Sequence, residues 1–298
     1  IIRHRDLVGS IQRGCELMGL PRSSFYYKLR GGDLRKLKRE MDLQDRIESI
    51  CLEFPRYGYR RVTHQLQREG WRVNHKKVLR LMRENDLLCR VRRGWIRTTD
   101  SDHPYPVYPN LIRDLEITAL NQVWLADITY IRILTGFVYL AAVLDAYSRK
   151  AVGYAISTSI DTALTLEALR MAIERRCPPL GCIHHSDQGV QYASHDYIAE
   201  LDRHQFQISM SRRGNVYDNA MMESFIKTLK SEEVYLWEYR TLADVESRLP
   251  YFIEEVYNRK RLHSALGYRP PNEFEELLQT TQNGVPTRQT ALTYSVQT

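Results

Sequence analysis

Hydrophobic spacing changes character part-way along this chain. Up to about residue 90, apolar side chains recur at the helical period. Residues 12–29 predict a small helix-turn-helix. Ile11, Cys15 and Met18 form its apolar stripe, Gly19-Leu20-Pro21 the turn, and Ser23 opens the second helix. Residues 33–52 predict a charged helix with Leu37, Met41, Ile47 and Ile50 roughly on one side. A solvated helix and a linker lying along DNA fit that pattern equally. Residues 57–90 predict a second two-helix unit. Its first helix, Arg60 to Glu69, turns Val62 and Leu66 inward and ends at Gly70. Asn74 caps the next, His75 to Leu87, with Val78, Leu79 and Met82 facing a core. The stretch that follows carries Arg90, Arg92, Arg93 and Arg97, then Pro104, Pro106 and Pro109. Prolines so close together deny helix and sheet, so it reads as an extended linker.

From about residue 120 the period becomes that of strands. Residues 123–133, 137–146 and 151–158 are three strand-like runs, with turns at Gly136 and at Ser148-Arg149-Lys150. Asp161 caps a helix whose apolar positions are Ala163, Leu164, Leu166, Leu169, Met171 and Ile173. A short strand runs from Cys182 to Asp187, a helix covers 195–204, and Phe206 to Met210 is another strand. Asp218 caps a helix reaching about Tyr235, and one further helix covers 241–259. The divisions are 1–30, a helix-turn-helix; 31–56, a charged helical connector; and 57–98, a second helix-turn-helix-like module. A Pro-rich linker (99–118), an α/β core (119–236), a carboxy-terminal helical extension (237–280) and a polar tail (281–298) follow.

A chain of 298 residues exceeds one typical domain, and 43% hydrophobic with 27% charged residues is ordinary for a soluble globular protein. Apolar stretches fall short of a membrane span and no signal-like segment opens the chain, so a cytoplasmic protein is expected. Five cysteines without a Cys-x-x-Cys pair predict reduced thiols, with no disulfide framework or zinc site. The net charge of +7 hides an asymmetry. Residues 1–99 hold 24 Lys and Arg against 11 Asp and Glu, whereas 100–298 hold 19 against 25. A basic half carrying helix-turn-helix patterns points to nucleic acid rather than a merely solvated surface. His75, Lys76, Lys77, Arg80 and Arg83 crowd one helix, as in a recognition helix lying in a major groove. Arg60, Arg61, Arg92 and Arg93 are the other candidate DNA contacts of this half.

Three acidic residues carry the candidate chemistry: Asp127 inside an apolar strand, Asp187 at a strand end beside Gly189, and Glu223 one turn into a helix. Taken singly they read as a salt-bridged, a turn-capping and a surface acid. Taken together, convergent carboxylates can hold two divalent metals about 3.5–4 Å apart, which serve phosphoryl transfer. Hard oxygen ligands imply two Mg²⁺ ions, with Mn²⁺ as substitute. Glu223, Lys227 and Lys230 share a helix face, which would turn two cations toward the same substrate. His185 fits support or DNA contact, His184 a buried structural role, and Asn219 a hydrogen bond to the backbone near the site. In the segment Tyr257 to Pro270, Arg259, Lys260, Arg261 and His263 fit a DNA clamp or a structural brace equally.

Several motifs carry a family resemblance. They are Asp127-Ile128-Thr129-Tyr130, His185-Ser186-Asp187-Gln188-Gly189, and Asp218-Asn219-Ala220 before Glu223. Thirty-five residues separate Asp187 from Glu223, and Lys230 follows seven after the glutamate. From about residue 15 to 278 the chain resembles the catalytic subunit of bacterial transposases of the third insertion-sequence family. The resemblance implies a ribonuclease-H-like, integrase-like mixed-sheet core behind amino-terminal helix-turn-helix modules. It also implies cleavage at element ends, strand transfer by the 3′-hydroxyl, a copy-out, paste-in route, and Lys230 on the terminal DNA. The implied partners are terminal inverted repeats, target DNA, and further copies of the chain as a dimer or larger. The implied setting is the bacterial nucleoid. The start at Ile1 fits a trimmed chain or the downstream part of a frameshift fusion to an upstream reading-frame product. A ribonuclease-H-like nuclease or resolvase and a non-catalytic DNA-binding repressor are the alternative readings.

Overall fold

The computed structural model describes residues 9–23, 31–89, 106–212 and 219–282. The first helix, α1 (Ile11–Leu17), is capped by Ser10, whose hydroxyl accepts from the Arg13 amide. Cys15 is buried, but Met18 is exposed, so the expected stripe is short. The second helix of this unit, over 24–30, lies outside the described residues, as do Arg90, Arg92, Arg93 and Arg97.

The long helix α2 (Gly31–Glu53) is followed by α3 (Tyr59–Arg68) and α4 (His75–Glu84). Leu43, Ile47 and Ile50 of α2 share one core with Val62 and Leu66 of α3 and Val78, Leu81 and Met82 of α4. The expected stripe on α2 therefore needs correction. Leu37 and Met41 are 55% and 59% exposed, because the first half of the helix runs past the core it later joins. On α4, Leu81 is buried in place of the expected Leu79, and Asn74 caps the helix by accepting from the Lys76 amide.

The core sheet contains β1 (Val123–Ile133), β2 (Gly136–Asp145), β3 (Ala151–Ser157), β4 (Ile183–Ser186) and β5 (Gln207–Met210). Their order is β3-β2-β1-β4-β5. The β1–β2 and β2–β3 pairs are antiparallel; β1–β4 and β4–β5 are parallel. This is the ribonuclease-H-like, integrase-like mixed sheet. Helix α5 (Thr162–Arg176), the short α6 (Val190–Ala193) and α7 (His195–Arg203) cover one face. There Leu164, Leu169 and Tyr197 meet Trp124, Ala126 and Val143. On the other face α8 (Ala220–Glu232) and α9 (Leu242–Tyr251) bring Phe225, Leu229 and Leu249 against Leu125, Ile131 and Leu144. Asp161 caps α5 as expected, although its Ala163 faces solvent.

The predicted single helix over 241–259 is two pieces. After Pro250 the chain continues as a widened π-helical stretch, Phe252–Lys260, and the Arg261 amide reaches back to the Val256 carbonyl at 2.7 Å. A proline removes one helical donor, which suits such a change of winding. The side chain of Asn258 then both donates to and accepts from the backbone of Ala151 (2.9 and 3.0 Å), capping the outer strand of the sheet. The last described helix is α10 (Pro271–Gln282). The tail beyond it lies outside the described residues.

The 257–270 segment is a brace. Arg261 is buried and donates twice to Glu232 at the end of α8 (2.7 and 2.8 Å). The Leu262 amide donates to the Tyr57 hydroxyl at 2.8 Å, and Arg61 donates to the Leu262 carbonyl at 3.1 Å. His263 is buried too, whereas Arg259 and Lys260 remain exposed beside Glu255 and Glu53. Three elements far apart in sequence thus meet at one short stretch.

Helix α5 lies so close to β3 that a Cβ on Gly153 would collide with the Ala168 carbonyl and come within 2.7 Å of the Ala172 amide nitrogen. Overfilling such a contact costs about 1–3 kcal/mol. The Gly153→Ala variant is expected to lose stability in that range, read as a lower urea midpoint with an unchanged slope.

Candidate active site

Strand register brings the first two acids together. The β1–β4 ladder pairs Val123 with Ile183, Trp124 with His184 and Leu125 with His185. The same register, carried on by two residues, sets Asp127 across from Asp187. Alternation along β1 turns Asp127 to the face of Leu125 and Ile131, which is the face α8 covers. Buried Met222, Phe225 and Leu229 fix α8 there, with Glu223 exposed in its first turn. Asn219 precedes this helix, and Asp218, expected to cap it, lies outside the described residues. The Asn219 side-chain oxygen is buried and finds no hydrogen-bond partner among the described residues.

Asp127 is crowded by protein yet keeps partial contact with solvent. Burial, then the neighbouring Asp187, push its carboxyl up to about 8, with Glu223 adding to the effect. The Ile128 amide, at 2.8 Å, and the more distant Lys230 oppose that rise. Asp145 shows what a structural buried aspartate looks like in this protein. Its carboxylate accepts from the backbone amides of Asn121, Tyr147 and Ser148 (2.6–2.9 Å) and lies near Arg176. Asp127 has one such donor among the described residues. A carboxylate so poorly satisfied and so close to others demands a proton or a cation.

Asp187 sits just past β4 in a turn closed by the Gly189 amide, which donates to its Oδ1 at 2.9 Å. A Cβ on Gly189 would approach that same oxygen to 2.9 Å, so the glycine keeps the carboxylate in place. Glu223 is exposed, and what desolvation it feels raises its carboxyl. Asp187 and Glu223 both lie near enough to Asp127 for their charge to raise its carboxyl. Among the described residues, no three His, Cys, Asp or Glu side chains stand close enough to hold one ion.

Lys230 is half-buried, with its ammonium 4.2 Å from the centre of the Tyr130 ring. Burial lowers its pKa and the Asp127 carboxylate raises it. Support of this cation by Tyr130 was not foreseen, although the tyrosine lies in the Asp127–Tyr130 motif. Lys227 is exposed on the same helix.

Both histidines before Asp187 are buried. His184 meets the Tyr197 hydroxyl at 3.0 Å, and burial drives its pKa down to about 3. His185 meets the Ser209 hydroxyl at 2.8 Å from inside the sheet, a supporting position. Nearby, the buried Tyr192 hydroxyl has no hydrogen-bond partner among the described residues, and burial raises its pKa, as do Tyr197, Asp127 and Asp187.

On the basic half, His75, Lys76 and Arg83 of α4 are exposed. Lys77 and Arg80 are tied to Glu40 of α2 at 3.5 and 2.6 Å. Arg60 is exposed beside the Tyr59 ring, while Arg61 is half-buried in the brace. Arg92 and Arg93 lie outside the described residues.

Comparison with known proteins finds matches in both halves of the chain. Residues 118–216 and 204–271 match two integrase core domain families, and 37–95 match an HTH-like domain. The chain is 38% identical to a 31 kDa protein of insertion element IS600 from Shigella sonnei, over 88% of this chain and 97% of that one. It is 38% identical to the transposase of IS904 from Lactococcus lactis, over 81% and 96%. It is 34% identical to transposase InsF of IS3A from Escherichia coli, over 89% and 94%. The chain belongs to the IS3-family insertion-sequence transposases. It is thus a DNA transposase, of the polynucleotidyl transferase class. Among solved structures, a simian T-cell lymphotropic virus intasome chain aligns over 81% of this chain and 77% of its own. Its TM-score is 0.46 and its identity 13%. The transposase fold is read from the strand order above. None of the transposase's described helices is long and apolar enough to cross a membrane.

The electrostatics of Asp127 give a pH signature in metal-free buffer. Its folded-state pKa, about 8, lies above the ordinary carboxylate value of about 4. Folding therefore takes up a proton between those values, and the stability tied to this group is lost as pH rises through the window. With EDTA present, Asp127→Asn is expected to resist urea better than wild type at pH 8, the gap closing toward pH 4. A gap independent of pH would show that Asp127 is not held in this environment.

Proposed function

We propose that this transposase cuts phosphodiesters at the ends of an insertion sequence and joins the freed 3′-hydroxyl to a second DNA site. Asp127, Asp187 and Glu223 are its metal-holding carboxylates. The observation that carries this reading is geometric: β1 and β4 bring Asp127 and Asp187 to neighbouring strand ends, α8 packs on the same face with Glu223 in its first turn, and Asp127 has one amide donor among the described residues. The donors fit hard divalent cations, two Mg²⁺ per site with Mn²⁺ as substitute: they are carboxylate oxygens, and the orphaned Tyr192 hydroxyl offers a hydrogen bond nearby. Bound at these carboxylates, such ions supply Lewis acidity to the attacked phosphoryl group.

The protein's own residues do the positioning. The β1–β4 register supports a neighbouring placement of Asp127 and Asp187, and α8 carries Glu223 exposed in its first turn. Lys230, steadied on Tyr130, holds a backbone phosphate of the terminal DNA beside Asp127, and Lys227 extends that grip outward. No side chain is needed as a covalent nucleophile, because water and then the DNA 3′-hydroxyl attack phosphorus in line. His75, Lys76 and Arg83 of α4 contact the terminal inverted repeat. Residues 1–98 thereby select the end, 119–236 carry the chemistry, and 237–280 brace the two. Bringing two ends together requires a dimer or larger assembly on DNA, in the cytoplasm at the nucleoid.

The deciding experiment is strand transfer with labelled element ends and Mg²⁺. Asp127→Asn is expected to fold and bind ends as wild type does while strand transfer drops by about a hundred- to a thousandfold, the scale on which removing one key electrostatic group acts. Wild-type turnover by this variant would remove Asp127 from the site. Cleavage without joining by the wild type would favour a nuclease instead.

End binding has its own test. Lys76→Ala with Arg83→Ala is expected to weaken binding to the inverted repeat. It should also flatten the dependence of affinity on salt by about one unit of slope for each phosphate no longer neutralised. An unchanged salt slope would take α4 off the DNA.

A further inference from the structure

Between the helix-turn-helix and the carboxy-terminal brace lies an open groove of about 770 Å³. That lies within the roughly 300–1,000 Å³ common for ligand pockets. Arg60, His64, Trp71, Arg72, His75 and Tyr268 line it, and no carboxylate does. Arg60 and Arg72 are exposed, and neither makes a salt bridge to a described residue. The nearby acids are engaged elsewhere, Glu69 with Arg46 and Glu273 with Arg68. The groove therefore favours an anion.

Its rings add a second preference. Tyr268 stacks on His64 with centroids 3.6 Å apart and planes 19° from parallel. To reach that position Tyr268 adopts a left-handed backbone, φ 59°, which a bulky residue rarely accepts. Burial also lowers the pKa of His64, which favours the neutral ring. Trp71 is half-buried on the groove wall, in the short extended link between α3 and α4. Flat rings beside guanidinium groups that no described carboxylate neutralises suit a nucleobase with its phosphate.

We propose that this groove holds one unstacked nucleotide of a single-stranded DNA stretch, its base on the Trp71 and His64–Tyr268 rings and its phosphate on Arg60 and Arg72. The site rests on the reading of DNA as substrate, and it lies apart from the carboxylates. It joins strand opening near a bound end to both halves of the protein, because Tyr268 belongs to the brace and Trp71 to the helix-turn-helix.

The test uses the full chain, a labelled oligothymidylate of about ten nucleotides, and a blunt duplex of the element end, with binding read by fluorescence anisotropy. Trp71→Ala and Arg72→Ala are each expected to weaken oligothymidylate binding about tenfold, the scale of one lost base stack, and to leave duplex affinity within about twofold. Trp71→Phe keeps a ring and should bind nearly as wild type. Should Trp71→Ala unfold, the exposed Arg72→Ala carries the comparison. Equal losses on single strand and duplex would make the groove a duplex-phosphate surface and overturn the proposal, as would no loss on either. Asp127→Asn is expected to bind oligothymidylate normally, so failure here leaves the carboxylate site standing, and failure of strand transfer leaves the groove standing.

Discussion

The parallel ladder between β1 and β4 sets the separation of two acidic side chains, and much of the candidate site follows from it. Parallel strands in register carry their side chains to the same face at each level. Asp127 and Asp187 each follow the last paired residues, Leu125 and His185, by two positions, and the charge of Asp187 reaches Asp127. The backbone there offers one amide to Asp127, against three to the structural Asp145. That contrast separates a carboxylate placed for stability from one held in tension. Burial and like charge raise the free energy of the ionised form, and a cation or a proton must answer it.

The third acid is governed differently. Glu223 rides on a helix whose position depends on Phe225 and Leu229 in the sheet-facing core and on Glu232 at its far end. The bidentate Arg261–Glu232 pair is buried, and burial makes its directional hydrogen bonds matter more than its net charge. The next residue, Leu262, is gripped from both sides by Tyr57 and Arg61 of the helix-turn-helix module. A strain at the DNA-reading helices thus has a short mechanical route to the helix that carries Glu223. The groove proposed for an unstacked nucleotide opens onto the same junction.

Charge count is a poor guide to which cations of the helix-turn-helix module are free to meet DNA. Five basic residues crowd α4, yet Lys77 and Arg80 spend part of their charge on Glu40. Arg61 looks like a surface cation in the chain and proves to be half-buried in the brace. Exposed Lys76 and Arg83 are better placed to meet phosphates.

Much of this was legible in the chain because it depends on near neighbours. Helix caps at Asn74 and Asp161, the strand runs from 123 to 157, and the glycine beside Asp187 are short-range features, set by backbone geometry and hydrogen bonds a few residues apart. The three candidate acids could be picked out for the same reason, since each lies in its own short motif. Other features were hidden because they pair residues far apart in sequence. Nothing near Arg261 announces Glu232, and nothing near Tyr57 announces Leu262. Leu37 and Met41 follow helical spacing but find no core, because spacing defines a face and only the arrival of another element covers it. His185, a candidate for DNA contact by its place beside Asp187, is buried because β5 closes over it with Ser209. Local order follows from adjacent residues; burial, pairing and the pKa of Asp127 follow from which distant segments meet.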